Sequence, residues 1–186
     1  MKEEENILRI LKETRTAIEN NDSYKIKNLS NQTVNTSSRT QDLDNIAVAV
    51  IVYSLSKIVE RQDYKQLPGW NPFYKKVLLY LEKSIQDIEN KNFEKFREDF
   101  KTIRGSIENL SGKLKKYIKE VLRGAEINKA SRIYEHGISM EQTANLLGIT
   151  LYELADYVGK TGIPNAPENR TKNTSERIEL AMEMFK

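Results

Sequence analysis

The amino-acid sequence predicts an all-helical protein, and three observations support this. Only eight glycines and four prolines occur in 186 residues, so helix is favoured along nearly the whole chain. Apolar residues recur every three or four positions, the spacing that gathers them on one face of a helix. Ser139 and Thr150 each stand three residues before a glutamine or glutamate, the pattern of two consecutive capping boxes. We expect an antiparallel helical bundle, then a tri-helical helix-turn-helix module, then a short C-terminal helix.

The composition also limits the chemistry and the location of the protein. No cysteine is present, which excludes disulfides, thiol nucleophiles and thiolate metal sites and suits a cytoplasmic protein. The N-terminal residues 1–6 are acidic and lack an apolar h-region, so we expect no signal peptide. The most apolar run, 46–52, is too short to span a bilayer, so we expect no membrane association. The net charge of +3 is weak, so any basic contact surface must be local.

The first sixty residues predict two helices and one ambiguous segment. Residues 3 to about 20 carry the stripe of an amphipathic helix, formed by Ile7, Leu11, Thr14 and Ile18. The segment 24–41 keeps a helical spacing at Ile26, Leu29 and Val34, but its serines, asparagines and threonines compete with the helix backbone. Asp42 or Thr40 then caps a helix that is apolar all round, and its length favours a central helix over a strand.

The polar residues between Ser30 and Arg39 have two interpretations. They form either a solvated helix end or loop, or a polar seam that lines a groove for a ligand or RNA.

A break at 67–72 separates the next two helices from the first part. It places Pro72 in the first turn of a helix, where proline is tolerated. An apolar stripe then runs from Tyr74 to Ile88. A second stripe steps by three and four over 93–122 without interruption, so we expect one long heptad helix there. Gly105 and Gly112 lie inside it and each costs about 1 kcal/mol relative to alanine, which marks a kink or a close helix contact.

The segment 125–163 is predicted to be the helix-turn-helix module. Gly137 ends its first helix, and Ser139 with Gln142 opens the second. Thr150 with Glu153 opens the third helix. Gly148 fits the tight turn between them, and the small Ala144 allows two helices to cross closely.

The C-terminal part divides into a polar linker, 164–173, and an amphipathic helix, 174–186. The linker contains two prolines. The helix is too short to be stable without docking on a partner, in cis or in trans, through an apolar face that includes Ile178, Ala181, Met182 and Phe185. We therefore predict a partner-binding role for this face, and we assign residues 1–124 to the bundle.

The charge pattern favours nucleic-acid contact around the module. From Lys113 to Arg132 there are seven bases and two acids, a net charge of +5. The alternative is a solvated bundle face. The predicted nucleic-acid contacts are Lys115, Lys116, Lys119, Lys129, Arg132, Ser139, Gln142, Thr150, Tyr152 and Lys160. Glu153 and Asp156 oppose DNA reading if they face outward, whereas folding back onto Lys129 or Arg132 would restore it.

No recognisable catalytic pattern occurs in the chain. The single histidine, His136, has no second ligand at metal spacing, so a structural or surface role is expected. The sequence has no phosphate loop and no serine elbow. We therefore expect a non-enzymatic protein without a metal or a cofactor.

Residues 130–164 resemble the small helix-turn-helix antitoxin-like proteins of archaea and bacteria. The matching positions, in the family's order, are Tyr134, Gly137–Ser139, Ala144, Gly148–Thr150 and Gly162–Pro164. The resemblance implies DNA binding near the protein's own operon. It also implies inhibition of a partner ribonuclease by a tail, for which 175–186 is the candidate. The bundle would then serve dimerisation or partner binding. The alternative is a protein- or RNA-binding scaffold, such as a ribonuclease or ribosome partner, whose module does not read DNA.

Overall fold

The structure is a computed structural model, and it confirms the all-helical prediction for the residues that it describes. These are residues 1, 3–40, 42–106, 110, 112–135, 138–147 and 149–161, excluding the side chains of 34–40, 135, 145–147 and 161. Within them are eight α-helices, one 3₁₀ helix at Gln62–Gln66 and no strand. The helices are α1 (Glu4–Glu19), α2 (Ser23–Thr40), α3 (Leu43–Glu60), α4 (Trp70–Glu89), α5 (Phe93–Gly105), α6 (Gly112–Glu135), α7 (Met140–Leu147) and α8 (Leu151–Thr161).

The ambiguous segment of the N-terminal part is a helix, α2. Ile26 and Leu29 are buried, so the helical spacing outweighs the polar composition. The buried Ser30 does not compete with the backbone of its own helix, because its hydroxyl donates to the Ala49 carbonyl of α3 at 2.7 Å. The Thr33 hydroxyl donates to the Leu29 carbonyl at 3.1 Å. Ser30 is therefore part of the contact between α2 and α3, whereas the Thr33 bond stays within α2 and Asn31 and Gln32 are exposed.

Helix α3 is central, as its apolar composition predicts. Asp42 is its N-cap and accepts a bond from the Asp44 amide at 3.0 Å. One side of α3, including Val48, belongs to a core shared with α1, α2, α4, α5 and the start of α6. The other side, including Ala49, joins a second core shared with the end of α6, α7 and α8. The C-terminal helices thus pack directly on the central helix of the first part.

The long helix predicted over 93–122 is wrong, because the chain forms two helices there. Helix α5 ends at Gly105, and the Ser106 hydroxyl donates to the Ile103 carbonyl at 2.6 Å beyond the last turn. Gly112, which begins α6, has a φ of +61°, a left-handed conformation that interrupts the helical path and favours glycine. The apolar stripe crosses this break because Ile103 and Leu114 are both buried in the same core.

Helix α6 is continuous across the predicted boundary between the bundle and the module. It runs from Gly112 to Glu135, so the boundary at 124/125 falls inside a helix. None of the helices in the described ranges has both the length and the apolar character needed to cross a bilayer. Several predictions lie outside the described residues: His136, Gly137, Gly148, the linker 164–173, and the C-terminal helix 174–186 with Ile178, Met182 and Phe185.

Candidate nucleic-acid interface

The last three described helices enclose the second core. Ala130 and Ile133 of α6 are buried against α7 and α8. Ala144 on α7 is buried, as expected where a small side chain allows a close crossing. Leu154 and Val158 lie one turn apart and form the buried side of α8. The opposite side of α8 is therefore the surface that this group of helices presents to solvent.

Both predicted N-caps form, and the second of them completes a reciprocal capping box. The Gln142 amide donates to the Ser139 hydroxyl oxygen at 3.2 Å at the start of α7. The Glu153 amide donates to the Thr150 hydroxyl oxygen at 3.2 Å at the start of α8. In return the Thr150 amide donates to the Glu153 carboxylate at 2.9 Å. These bonds satisfy amides that the first helical turn leaves unpaired, so the starts of α7 and α8 are determined locally.

The Glu153 carboxylate turns back from the solvent and binds α6. Arg123 donates to it through Nε at 3.0 Å and makes a second, close ion pair through Nη2. Hydrogen bonds from Arg123 and from the hydroxyl and amide of Thr150 lower the pKa of Glu153 to about 2. Of the two alternatives that the sequence left open for this acid, it folds back rather than facing outward, but onto Arg123 and not onto Lys129 or Arg132.

A chain of alternating charges continues from this ion pair into the first part of the protein. Nη1 of Arg123 also contacts the buried Glu126 carboxylate at 3.1 Å, and Arg104 at the end of α5 pairs with the same carboxylate. Helices α5, α6 and α8 are therefore joined by one ionic network. Sequence reasoning missed it because its members lie up to 49 positions apart, between Arg104 and Glu153.

The exposed side of α8 is mostly apolar or small. Tyr152 is 80% exposed and Leu151 is 51% exposed. Ala155 and Gly159 continue this exposed side. Asp156 also faces outward, and Lys160 pairs with it at 2.7 Å. This side thus carries one acid, neutralised by the only base of α8, and few of the donors that normally read base edges.

Lys129 is a correction to the predicted contacts, because its side chain is fully buried. Its ammonium donates to the Asn31 side-chain oxygen at 2.9 Å and lies 4.2 Å from the centroid of the Tyr53 ring. Burial, with repulsion from Arg132 and Lys27, lowers its pKa to about 7. The helical step through Ala125, Lys129 and Ile133, whose two outer members are buried, is the sequence signal that indicates this position.

The other predicted contact residues are accessible and form two groups. Lys116, Lys119, Arg132, Ser139, Gln142, Thr150, Tyr152 and Lys160 are exposed, and Lys115 is half-buried. The ion pair between Arg123 and Glu153 places the start of α8 one helical turn from Lys119. Lys116 and Arg132 are 16 positions apart on α6, about 24 Å along its axis. Lys119 and Lys116 lie four and seven positions before Arg123 and share its face of α6, whereas Arg132 lies nine positions after it, on the opposite face.

Sequence reasoning also missed an aromatic cleft between α3, the 3₁₀ helix, α6 and α8. Its tyrosines are Tyr53, Tyr64, Tyr117 and Tyr157. They come from four separate elements, so no short sequence motif contains them together. In the described ranges no group of three His, Asp or Glu side chains has an arrangement that could hold a metal ion.

Comparison with known proteins finds no family model, no curated protein and no solved structure that matches the chain.

Proposed function

We propose that this protein is a cytoplasmic, non-enzymatic DNA-binding regulator of the antitoxin-like class. In this proposal α7 and α8 form a helix-turn-helix, and the second half of α6 completes the tri-helical module. Helices α1 to α5 form an antiparallel bundle that serves dimerisation or partner binding. The observation that carries the proposal is the fold-back of Glu153 onto Arg123, which turns this acid away from the exposed Tyr152 and toward the face of α6 that carries Lys116 and Lys119.

The charge around the start of α8 supports contact with phosphate. An exposed carboxylate in the first turn of a reading helix repels DNA, but the Glu153 charge is compensated by Arg123. The Thr150 hydroxyl donates to Glu153 at 2.7 Å, so the exposed hydroxyl of Tyr152 is the one that is able to donate to a phosphate oxygen. Lys116 and Lys119 add sequence-independent attraction one to two turns away.

DNA binding by a dimer requires a specific arrangement of the two copies. If the bundle dimerises, two modules meet two half-sites whose centres lie about 34–36 Å apart. The proposed contacts are mainly to phosphate, so affinity should depend steeply on salt.

An electrophoretic mobility shift tests the proposal, using duplex DNA from the region upstream of the protein's own gene. We expect a shift at nanomolar to micromolar protein and a loss of affinity as salt rises. Lys116→Ala/Lys119→Ala should lower the slope of log K against log salt by about 0.9 for each phosphate that the variant no longer neutralises. The matched control is Lys75→Ala/Lys83→Ala, which removes the same charge from exposed positions on α4. Absence of a shift at low salt would rule out DNA binding.

A second function is supported by the exposed side of α8 itself. Leu151 and Tyr152 expose apolar surface, and Ala155 and Gly159 allow another chain to approach closely. We propose as the alternative that this side binds a protein such as a ribonuclease, or structured RNA. Under it the duplex shift is absent, and Tyr152→Ala weakens binding of a purified partner encoded by the neighbouring gene. The control is Tyr24→Ala, which removes a tyrosine of similar exposure, 74%, from α2.

A further inference from the structure

The aromatic cleft has the size and the lining of a small-ligand site. Its volume is about 370 Å³, and it is open to solvent between α3, the 3₁₀ helix, α6 and α8. Pockets of this order hold small organic ligands. Its lining is unusual in combining four tyrosines with two bases, Lys57 and Arg61.

Planar aromatic groups fit the walls of this cleft. The rings of Tyr64 and Tyr117 are stacked with centroids 5.5 Å apart and planes 13° from parallel. Tyr64 is buried and Tyr117 is 36% exposed, so the stack ends in a ring that is accessible to a further planar group. Tyr157 on the other wall has a fixed orientation, because its hydroxyl accepts from the Asn128 side chain at 3.2 Å. Base stacking on tyrosine rings is a standard mode of nucleic-acid recognition.

The two bases that line the cleft lie over the faces of two of its rings. The Lys57 ammonium is 5.9 Å from the centroid of Tyr53, and the Arg61 guanidinium carbon is 5.7 Å from that of Tyr64. Arg61 is exposed, so it is able to turn toward an anion. Lys57 also contacts Glu60 at 2.8 Å, which makes Arg61 the better phosphate ligand.

The cleft also contains an acid, Glu120. A carboxylate repels phosphate, but it accepts hydrogen bonds from the amino or imino group of a base. Glu120 comes from α6, whereas Lys57 and Arg61 come from the end of α3. The arrangement therefore offers an acceptor on one side and positive charge on the other.

Gly124 leaves open space on the α6 side of the cleft. It lies inside α6, where glycine is among the least favourable residues. A Cβ added to it would have none of the described heavy atoms within 4 Å, so contact with the neighbouring helices does not require glycine. Gly124 lines the cleft, and the missing side chain leaves room there.

We propose that this cleft binds a nucleobase joined to a phosphate. The base stacks against the tyrosine rings, the carboxylate of Glu120 accepts from its polar edge, and Arg61 and Lys57 bind the phosphate. The ligand is either a free mononucleotide or an unpaired base in a single strand. This binding does not depend on α8 reading duplex DNA, although Tyr157 brings α8 into contact with the occupant.

Isothermal titration calorimetry of the full chain tests this proposal, with GMP and with a short guanine-containing single-stranded oligonucleotide as probes. Gly124→Leu is expected to fill the cleft and weaken binding by about tenfold or more, the scale of removing one base stack. Gly124→Ala is the matched control and should bind nearly as the natural protein does. Both substitutions should keep or raise the melting temperature, because they improve helix propensity in open space.

Two further variants test the roles of the ring and of the charge. Tyr117→Ala and Arg61→Ala should each weaken binding by about tenfold, whereas Tyr24→Ala should not. Binding of GMP and the oligonucleotide alike identifies a mononucleotide site, and binding of the oligonucleotide alone identifies an unpaired base of a strand. The proposal is overturned if neither probe binds at millimolar concentration, or if Gly124→Leu binds as tightly as Gly124→Ala. Absence of a mobility shift with duplex DNA would not contradict nucleotide binding in the cleft.

Discussion

Lys129 allows a quantitative test of the packing between α6 and the first part of the chain. Its ammonium is buried, and the charges acting on it are those of Arg132 and Lys27, both repulsive. Replacing it by Met keeps an unbranched side chain of similar length and removes the charge. Asn31, whose side-chain oxygen then has no ammonium donor, is exposed and is able to bond to water instead.

The expected effect follows from the pKa of Lys129, which falls from 10.5 to about 7 on folding. Between these two values the unfolded chain binds more protons than the folded chain, so the free energy of unfolding rises with pH. The cost of burying the charge is largest at and below pH 7 and disappears above pH 10.5. The titration of Lys129 therefore raises the free energy of unfolding by about 2 kcal/mol between pH 7 and pH 9.

Equilibrium unfolding in urea, followed by circular dichroism, measures this gain as the difference in free energy of unfolding between the natural protein and Lys129→Met. Lys129→Met should be the more stable at pH 7, and the natural protein should recover about 2 kcal/mol relative to it by pH 9. Lys119→Met, on the exposed side of α6, is the control. Its free energy of unfolding should change with pH as that of the natural protein does. The same pH dependence for Lys129→Met and the natural protein would show that the Lys129 ammonium remains solvated, which contradicts this expectation.

Four other outcomes follow from the described contacts. Thr150→Ala removes the N-cap of α8 and should cost about 1 kcal/mol in the same urea assay; no change would mean that the cap is redundant. Gly112→Ala should destabilise the protein by about 1 kcal/mol, because φ there is +61°, whereas Gly105→Ala, whose added methyl meets open space, should be neutral or stabilising; equal effects would contradict this. Ser30→Ala removes the side-chain bond to the Ala49 carbonyl, which keeps its backbone donor within α3, so it should cost about 1 kcal/mol, and a cost near zero would argue against that bond. The low pKa of Glu153 stabilises the fold above pH 4.5, and this contribution should disappear as pH falls from about 4.5 to about 2; acid unfolding of Glu153→Gln should lack that phase.

Much of the local structure could be predicted from the sequence because its causes lie within a few residues. The caps at Asp42, Ser139 and Thr150 each act on amides two or three positions away, so their spacing suffices. The apolar stripe of α1 likewise depends only on residues three or four positions apart. The all-helical class follows from the sum of such local preferences.

The helix break, the ion pairs between helices and the burial of Lys129 depend on tertiary packing, because it joins groups that are distant in sequence. The break between Gly105 and Gly112 was hidden, since both α5 and α6 bury their apolar sides in one core and the spacing continues across the turn. Arg123 and Glu153 meet only because α8 packs on α6. The spacing of Lys129 from Ala125 and Ile133 places it on an apolar side of α6, but only the contacts with Asn31 of α2 and Tyr53 of α3 bury its ammonium. Burial and ion pairing depend on which helices come together, and a residue's neighbours along the chain do not determine that.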